Sequence, residues 1–555
     1  MQALLSSDTP PLQLDPAIAG AFGLGPAVLP RSRANGFGSL VAALRARAAA
    51  LSLPGVELRP FPSLLVSRAG IVPQGAYAVQ QARFLAPDAG AVARLAAVLR
   101  EKNIGIVAHF YMDAEVQGVL TAAKALWPHI HISDSLVMAD SSVGMVQAGC
   151  KAIAVLGVDF MSENVRAILD DAGLNAVPVY RLSDQAIGCT LAEAAEDAKY
   201  YSWLDSAAEV PSSLHVVYIN TSLRTKALAD ARVPTITCTS SNVVNTVLTA
   251  AAQLPDVNVW YGPDAYMGAN LRALLRRLAV APDADVAAVH PGHTAASVAA
   301  FLPRLRHYKD GACAVHELFG ADVTAAVARG YSDAFLTAHF EVPGEMFELA
   351  MEARTRGMGV VGSTQNILDF ILARTDEALQ REQPAERLRF VLGTETGMVT
   401  SIVDALQRRL AAAPTSGPAV EVEIVFPVAV DAVAPTGNAG AAPGAKGPLS
   451  SIAQLVIVPG PASGEGCSTA GGCASCPYMK MNSLSALMTV AERVGTPGEA
   501  LLEAYKPKAY EDAAPRGGSL AAAGCVPILH MRDFQASKRL SDKLLKDITT
   551  RNAKK

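Results

Sequence analysis

Three cysteines, Cys467, Cys473 and Cys476, fall within ten positions of the stretch EGCSTAGGCASCPYMKMNS, in a chain whose total is eight. Thiolates hold soft metals, and a C-x-x-C pair such as Cys473 and Cys476 also supports thiol redox chemistry. A second set of candidates comes as pairs two residues apart: His109 and Tyr111, Tyr218 and Asn220, His339 and Glu341. Imidazole, phenol and carboxylate are the groups that carry protons in general acid–base catalysis. On an extended segment a spacing of two points both side chains to one face.

The elements that must position these pairs recur. GIVAHFYMDAEVQGVLTAAK, HVVYINTSLRTKALADAR and DAFLTAHFEVPGEMFELAMEA each read as a short apolar strand, a polar pair and a helix. HISDSLVMADSSVGMVQ, TITCTSSNVVNTVLTAAAQ and GVVGSTQNILDFILA form a second tier, with a Ser/Thr cluster at the strand-to-helix turn. AIAVLGVDFMSENVRAIL, NVWYGPDAYMGANLRALL and RFVLGTETGMVTSIVDAL form a third, with Gly157, Gly262 and Gly393 in register. A β-α-β-α-β-α unit repeated three times predicts an α/β protein of three pseudo-symmetric αβα sandwiches with parallel sheets, and ligands at the carboxyl ends of the strands. Hydroxyl-bearing turns there are helix caps and anion sites alike, and a lone strand-end histidine is often structural. Recurrence at three matching positions favours a shared role.

A cysteine follows the third tier of each repeat: Cys189, Cys313 and the Cys467–Cys476 group. Structural zinc takes four ligands, usually from local pairs, whereas three thiolates leave a coordination position vacant. A [4Fe–4S] cluster with one open iron, acting as a Lewis acid, fits that count. The competing reading is three buried cysteines serving as small hydrophobes.

Composition narrows the class. A chain of 555 residues, 51% hydrophobic and 18% charged, exceeds one compact core. A net charge of -4 gives no basic footprint for nucleic acid, and no apolar run reaches the roughly 18 residues of a membrane helix. Eight cysteines are too sparse for a secreted disulfide scaffold, so reduced thiols are expected. The start MQALLSSDTPPLQLDP reads as neither a secretory signal nor a Ser/Arg-rich transit peptide.

The motifs VAHFYMDAEVQGVL, ISDSLVMADS, VLGVDFMSENVRAIL, VVYINTS, TITCTSSNVV, VWYGPDAYMGAN, LTAHFEVPGEMF, VVGSTQNILDFI, VLGTETGMVTSIV and GEGCSTAGGCASCPYMKMNSL, spanning about residues 95–535, resemble quinolinate synthase in its plant and algal plastid form. That resemblance implies condensation of iminoaspartate with dihydroxyacetone phosphate to quinolinate, phosphate and water, on the route to NAD. It implies a [4Fe–4S] cluster on Cys189, Cys313 and Cys476, with Cys473 left as a redox candidate. Glu341 becomes the general base, Tyr111 a proton-transfer and site-closing residue, and His109 and His339 the groups that orient and neutralise anionic substrate. Ser135, Ser240, Ser363 and Thr364 match turns that bind phosphate and carboxylates, while Tyr218, Asn220, Asn242 and His316 line the site. The implied partners are L-aspartate oxidase as supplier of iminoaspartate and the iron–sulfur assembly machinery, with no nucleic acid or membrane and a homodimer allowed. The implied compartment is the plastid stroma, with the cytoplasm as the alternative.

The expected organisation has 1–55 as the remnant of a sulfur-transfer-type domain, because AVLPRSRANGFGSLVAALRARAAALS resembles the last helix of cysteine-desulfurase activators. The first cysteine being Cys150, that remnant lacks a reactive thiol. Residues 56–94 read as a linker, and 95–205, 206–328 and 329–535 as the repeats. The third repeat carries an Ala/Gly/Pro-rich flexible insertion at 433–449, and 536–555 reads as a solvated basic tail. Two other function classes remain at this point: a cluster-free phosphosugar aldolase or isomerase, and a zinc or thiol-redox module.

Overall fold

The computed structural model describes residues 61–427 and 476–551, apart from Gly75, Ala314, Glu382, Pro384, Pro477 and Glu511. The remnant at 1–55, the insertion at 433–449, Cys467 and Cys473 lie outside the described residues.

Three sheets carry the fold; the first three strands of each follow one another as the tiers predict, and each sheet adds a fourth parallel strand that the tiers do not contain. The first holds β3 (Ile104–His109), β4 (Ile130–Ser133), β5 (Ala152–Leu156) and β6 (Val179–Tyr180), in the order β4-β3-β5-β6. The second holds β7 (Ser213–Tyr218), β8 (Thr235–Cys238), β9 (Asn258–Gly262) and β10 (Leu305–His307), in the order β8-β7-β9-β10. The third repeats the pattern with β11 (Phe335–His339), β12 (Gly359–Gly362), β13 (Ala385–Gly393) and β14 (Ala419–Val425), in the order β12-β11-β13-β14. All pairings within these three sets are parallel. The strands β3, β5 and β7 are short apolar runs, such as GIVAH and LHVVY, buried along their length, as strands covered on both faces must be. In a 2-1-3-4 order the strand sequence reverses direction beside the first strand of each set, and in parallel sheets such a switch point opens a crevice at the carboxyl ends.

Register makes the repeats comparable residue by residue. His109 lies opposite Ser133, Tyr218 opposite Cys238 and His339 opposite Gly362, each pair ending its two strands together. The three glycines match less strictly. Gly262 and Gly393 pair with Val217 and Ala338, whereas in the first repeat Leu156 takes that place opposite Ala108, one residue ahead of Gly157.

The structure revises three boundaries. The expected linker 56–94 carries a hairpin, β1 (Ser63–Ser67) and β2 (Gly70–Gln74), which extends the third sheet antiparallel to β14, and then helices Ala76–Phe84 and Ala89–Lys102. Its partner strand lies some 360 residues on, so the three apolar residues in SLLVS gave no local sign of a sheet. The third sheet is complete at Val425, and the chain from 478 returns to the other two repeats rather than completing the third. Helix Leu484–Arg493 packs on β5 and on Ala89–Lys102. Helix Leu520–Ser537 packs on helix Leu223–Arg232 and on β8, so closely that a Cβ on Gly524 would meet the Leu223 carbonyl at 2.2 Å. The basic end is docked, not merely solvated: helix Asp542–Thr550 buries Leu544 and Ile548, and Arg551 pairs with Asp230 at 3.6 Å. Among the described residues no helix is long and apolar enough to cross a membrane.

Candidate active site

The carboxyl ends of β3, β7 and β11 deliver His109, Tyr218 and His339 to one buried place. Two residues later the backbone has turned, and in the first and third repeats the turn is stabilised alike. The Tyr111 N–H donates to His109 Nδ1 at 3.2 Å, and the Glu341 N–H donates to His339 Nδ1 at 3.3 Å. An Nδ1 that accepts leaves the proton on Nε2, which fixes the neutral tautomer of both rings. Burial keeps them neutral, lowering His109 to about 4 and His339 to about 3. His339 Nε2–H then donates to Ser240 Oγ at 3.1 Å.

Glu341 is the centre of the arrangement. The Tyr218 hydroxyl donates to its Oε1, and His316 Nδ1 lies 3.1 Å from its Oε2. Burial opposes its ionisation, but the imidazoles of His316 and His339 and the Tyr218 hydroxyl override that and hold it at about 2. His316 also reaches Cys313 Sγ, at 3.2 Å from the same Nδ1. Facing the Glu341 carboxylate, Nδ1 carries a hydrogen, and the buried Nε2 has no hydrogen-bond partner. The His316 and His339 rings stack at 4.9 Å, and Tyr111 meets His109 edge-on at 4.7 Å and His316 at 6.0 Å.

Cys189, Cys313 and Cys476 are unpaired thiols, partly buried against the main core, one from each expected repeat. Burial raises all three, Cys189 to about 12; the carboxylates of Glu341 and Glu395 raise Cys313 further, and Glu395 raises Cys476. Cys476 is among the groups whose charge raises Cys313, and Cys189 among those whose charge raises Cys476. Buried thiols without a cationic neighbour stay protonated, and a metal supplies the missing positive charge while displacing those protons. The three sulfurs are not within 4.8 Å of one another, the reach of a single ion, whereas Cys313, His316 and Glu395 are, as are His316, His339 and Glu341.

The expected substrate-binding residues divide. His109, Tyr218, Ser240, His316, His339 and Glu341 are drawn into one network. Asn220 occupies the place of Tyr111 and Glu341 in the second repeat but is half-buried. Ser135 and Thr364 are the buried first residues of helices Ser135–Gln147 and Thr364–Leu379, at the same carboxyl edge. Ser363 serves as the N-cap of its helix, accepting from Asn366 N–H at 3.3 Å, and Asn242 Oδ1 accepts from Thr239 N–H at 2.8 Å. Asn242 Nδ2 is buried without a partner.

Glu395 escaped the sequence reading. Its carboxylate accepts the Cys476 N–H, its Oε2 is buried without a partner, and it shares a single-ion radius with Cys313 and His316. The available signal was an acid between two glycines, in VLGTETG, at a strand-to-helix turn where the other repeats also carry acids in GVD and GPD. An open surface cavity of about 670 Å³ lies elsewhere, between helices Leu223–Arg232, Leu520–Ser537 and Asp542–Thr550, and contains none of these residues.

Three parallel 2-1-3-4 sheets meeting at a buried Glu–His–Tyr network beside three thiols define a triplicated α/β enzyme. The chain matches the quinolinate synthetase A protein family over residues 93–419, more than half its length. It is 55% identical to "Quinolinate synthase, chloroplastic" of Oryza sativa subsp. japonica, over 97% of this chain and 76% of that protein. The protein of the same name in Arabidopsis thaliana is 51% identical over 95% of this chain and 73% of its own length. "Quinolinate synthase" of the bacterium Prosthecochloris aestuarii is 27% identical, over 54% of this chain and 70% of its own. The chain belongs to the quinolinate synthase family, in its plastid form, and is an enzyme of NAD biosynthesis.

Proposed function

We propose that the enzyme condenses iminoaspartate with dihydroxyacetone phosphate to quinolinate, phosphate and water, with a [4Fe–4S] cluster held by Cys189, Cys313 and Cys476. The observation that carries this reading is Glu341, ionised, fully enclosed and linked through His316 to Cys313. When bound, such a cluster supplies a Lewis acid at the iron that no cysteine holds.

The chain's own groups do the rest. Imine formation, enolisation and dehydration each move a proton, and Glu341 is the carboxylate placed to take it, with the Tyr218 hydroxyl donating to that carboxylate while it is ionised. His316 presents a buried Nε2 without a partner, which suits it to hold a polar group of substrate. His109 and His339, neutral at working pH, orient by hydrogen bond rather than by charge, and Ser240 fixes the His339 ring. Tyr111 moves a proton and closes the site. The hydroxyls of Ser135 and Thr364, with Asn242 Nδ2 and Asn220, are assigned to phosphate and carboxylate binding at the strand ends. L-aspartate oxidase is the proposed source of iminoaspartate, and the iron–sulfur assembly machinery the source of the cluster.

One observation favours a second reading, a single-ion site: Cys313, His316 and Glu395 together reach one ion. Stoichiometric zinc without iron after anaerobic purification would support it. The main reading is tested by quinolinate formation from oxaloacetate, ammonia and dihydroxyacetone phosphate. Glu341→Gln is expected to keep iron and sulfide but lose turnover by at least about 100-fold, the loss typical of a general base. Near-normal turnover in that variant would remove Glu341 from the mechanism.

A further inference from the structure

The turns that carry Tyr111, Asn220 and Glu341 share a feature beyond their place in the repeat. In each, the two carbonyls flanking the functional residue are gripped by a single side-chain nitrogen. Gln117 Nε2 donates to the carbonyls of Phe110 and Met112, the latter at 3.1 Å, and also to Gly397 at 2.6 Å. Lys226 Nζ donates to the carbonyls of Ile219, at 3.1 Å, and Thr221. Asn270 Nδ2 donates to those of Phe340 and Val342, both at 2.8 Å. All three donors are buried. Only an amide turned nitrogen-first can meet two carbonyls, so the Gln117 and Asn270 orientations follow from their partners.

Gln117 and Lys226 occupy the same repeat position, eight residues after His109 and Tyr218. The equivalent place after His339 is Phe347, an apolar core residue, and there the donor comes from Asn270 of the preceding repeat. A function met by amide, ammonium and a donor from another repeat is held by the geometry of the turn, not by one inherited residue.

We propose that Gln117, Lys226 and Asn270 are positioning residues that hold the peptide planes on both sides of Tyr111, Asn220 and Glu341, and so aim those side chains. This rests on the assignment of those three residues to the reaction. Fixing both flanking carbonyls leaves the middle residue little backbone freedom. Removing Asn270 takes the side-chain donor from two buried carbonyls, and removing Lys226 takes it from the Thr221 carbonyl while Ile219 keeps the Thr221 N–H; rotation of the peptide planes toward other donors relieves the loss. That rotation swings the functional side chain, and a shift of about 1 Å can cost about 100-fold in rate.

The test uses Asn270→Leu, Lys226→Met and Lys226→Gln in the holoenzyme, with kcat, KM, iron and sulfide measured on each. Asn270→Leu is expected to lower kcat about 100-fold, with KM within about threefold and full iron and sulfide. Lys226→Met is expected to lose activity and Lys226→Gln to recover most of it, since a neutral amide meets the same task at position 117. Should Asn270→Leu not fold, Asn270→Asp keeps the volume without the amide donors and is held to the same criterion. The proposal is overturned if the Asn270 variant stays within twofold of wild-type kcat. Loss of iron in step with activity, or Lys226→Gln as poor as Lys226→Met, would reduce these residues to structural supports. Glu341→Gln in the same assay separates the two levels: an active Glu341→Gln removes the underlying assignment, whereas an inactive one beside an active Asn270→Leu removes the clamp alone.

Discussion

Glu395 shows what a single buried acid does at this site. Its carboxyl group takes the Cys476 N–H and also lies near Cys313 and His316, so it ties the cysteine segment of one repeat to that of another. Glu395→Ala is expected to reduce bound iron to less than half of wild type, while Glu395→Gln, which keeps an acceptor at the same reach, retains it; iron and sulfide counts decide. His215 makes a different kind of statement. Fully enclosed between the Tyr200 hydroxyl, 2.8 Å away, and Thr235, it is held neutral by burial, down to about 3. Its folded value lies below the ordinary 6.5, so the unfolded chain binds the proton more readily and stability falls as pH drops below about 6.5. Between pH 7 and pH 5 that amounts to about 2 kcal/mol, and His215→Gln should lose correspondingly less on acidification, read from urea midpoints at the two pH values. The strand-end pairs were legible because a spacing of two after an apolar run is a local signal. Gln117, Asn270 and Glu395 were not, because their partners are carbonyls and N–H groups brought close by packing, some of them 70 or more positions away.

Elements transmit this positioning through close approaches. The turn at Gly397 lies so near the first repeat that a Cβ there would stand 2.7 Å from the Phe110 carbonyl and from Tyr111 Cα, and Gln117 binds the Gly397 carbonyl across the same gap. Gly397→Ala therefore has to displace the Tyr111 turn, for both obstacles are backbone. It is expected to lower turnover at least about tenfold while iron content is kept, measured by steady-state kinetics beside metal analysis. The strand-and-helix order of each repeat followed from apolar runs of four to six residues ending in polar pairs, and the three sheets bear it out. The β1–β2 hairpin did not declare itself, since antiparallel edge strands are recognised by a partner, and theirs lies at the far end of the third sheet. The docking of helix Asp542–Thr550 was hidden by its lysines, which mask the two buried positions, Leu544 and Ile548, that turn it onto the core.

At the scale of the molecule, three sheets of one strand order each end in a place for chemistry, and each expected repeat contributes one thiol. The triplication was readable because it repeats three tiers in sequence. The path of the final segment was not, because the return of residues 478–551 onto the first two repeats depends on contacts such as Asn482 with Gly157, 325 positions apart. That return also holds the segment after Cys476 against the first repeat: it is pinned there by Asn482 and by Lys480 beside Asp113 at 3.4 Å. The central claim is that one cluster is held jointly by the three repeats. Iron and sulfide counts on the anaerobically purified chain, with Cys189→Ser, Cys313→Ser and Cys476→Ser beside it, test this most directly. The account predicts about four iron and four sulfide in the wild type, and well under half of that in every variant. Full iron and sulfide in all three variants would contradict it.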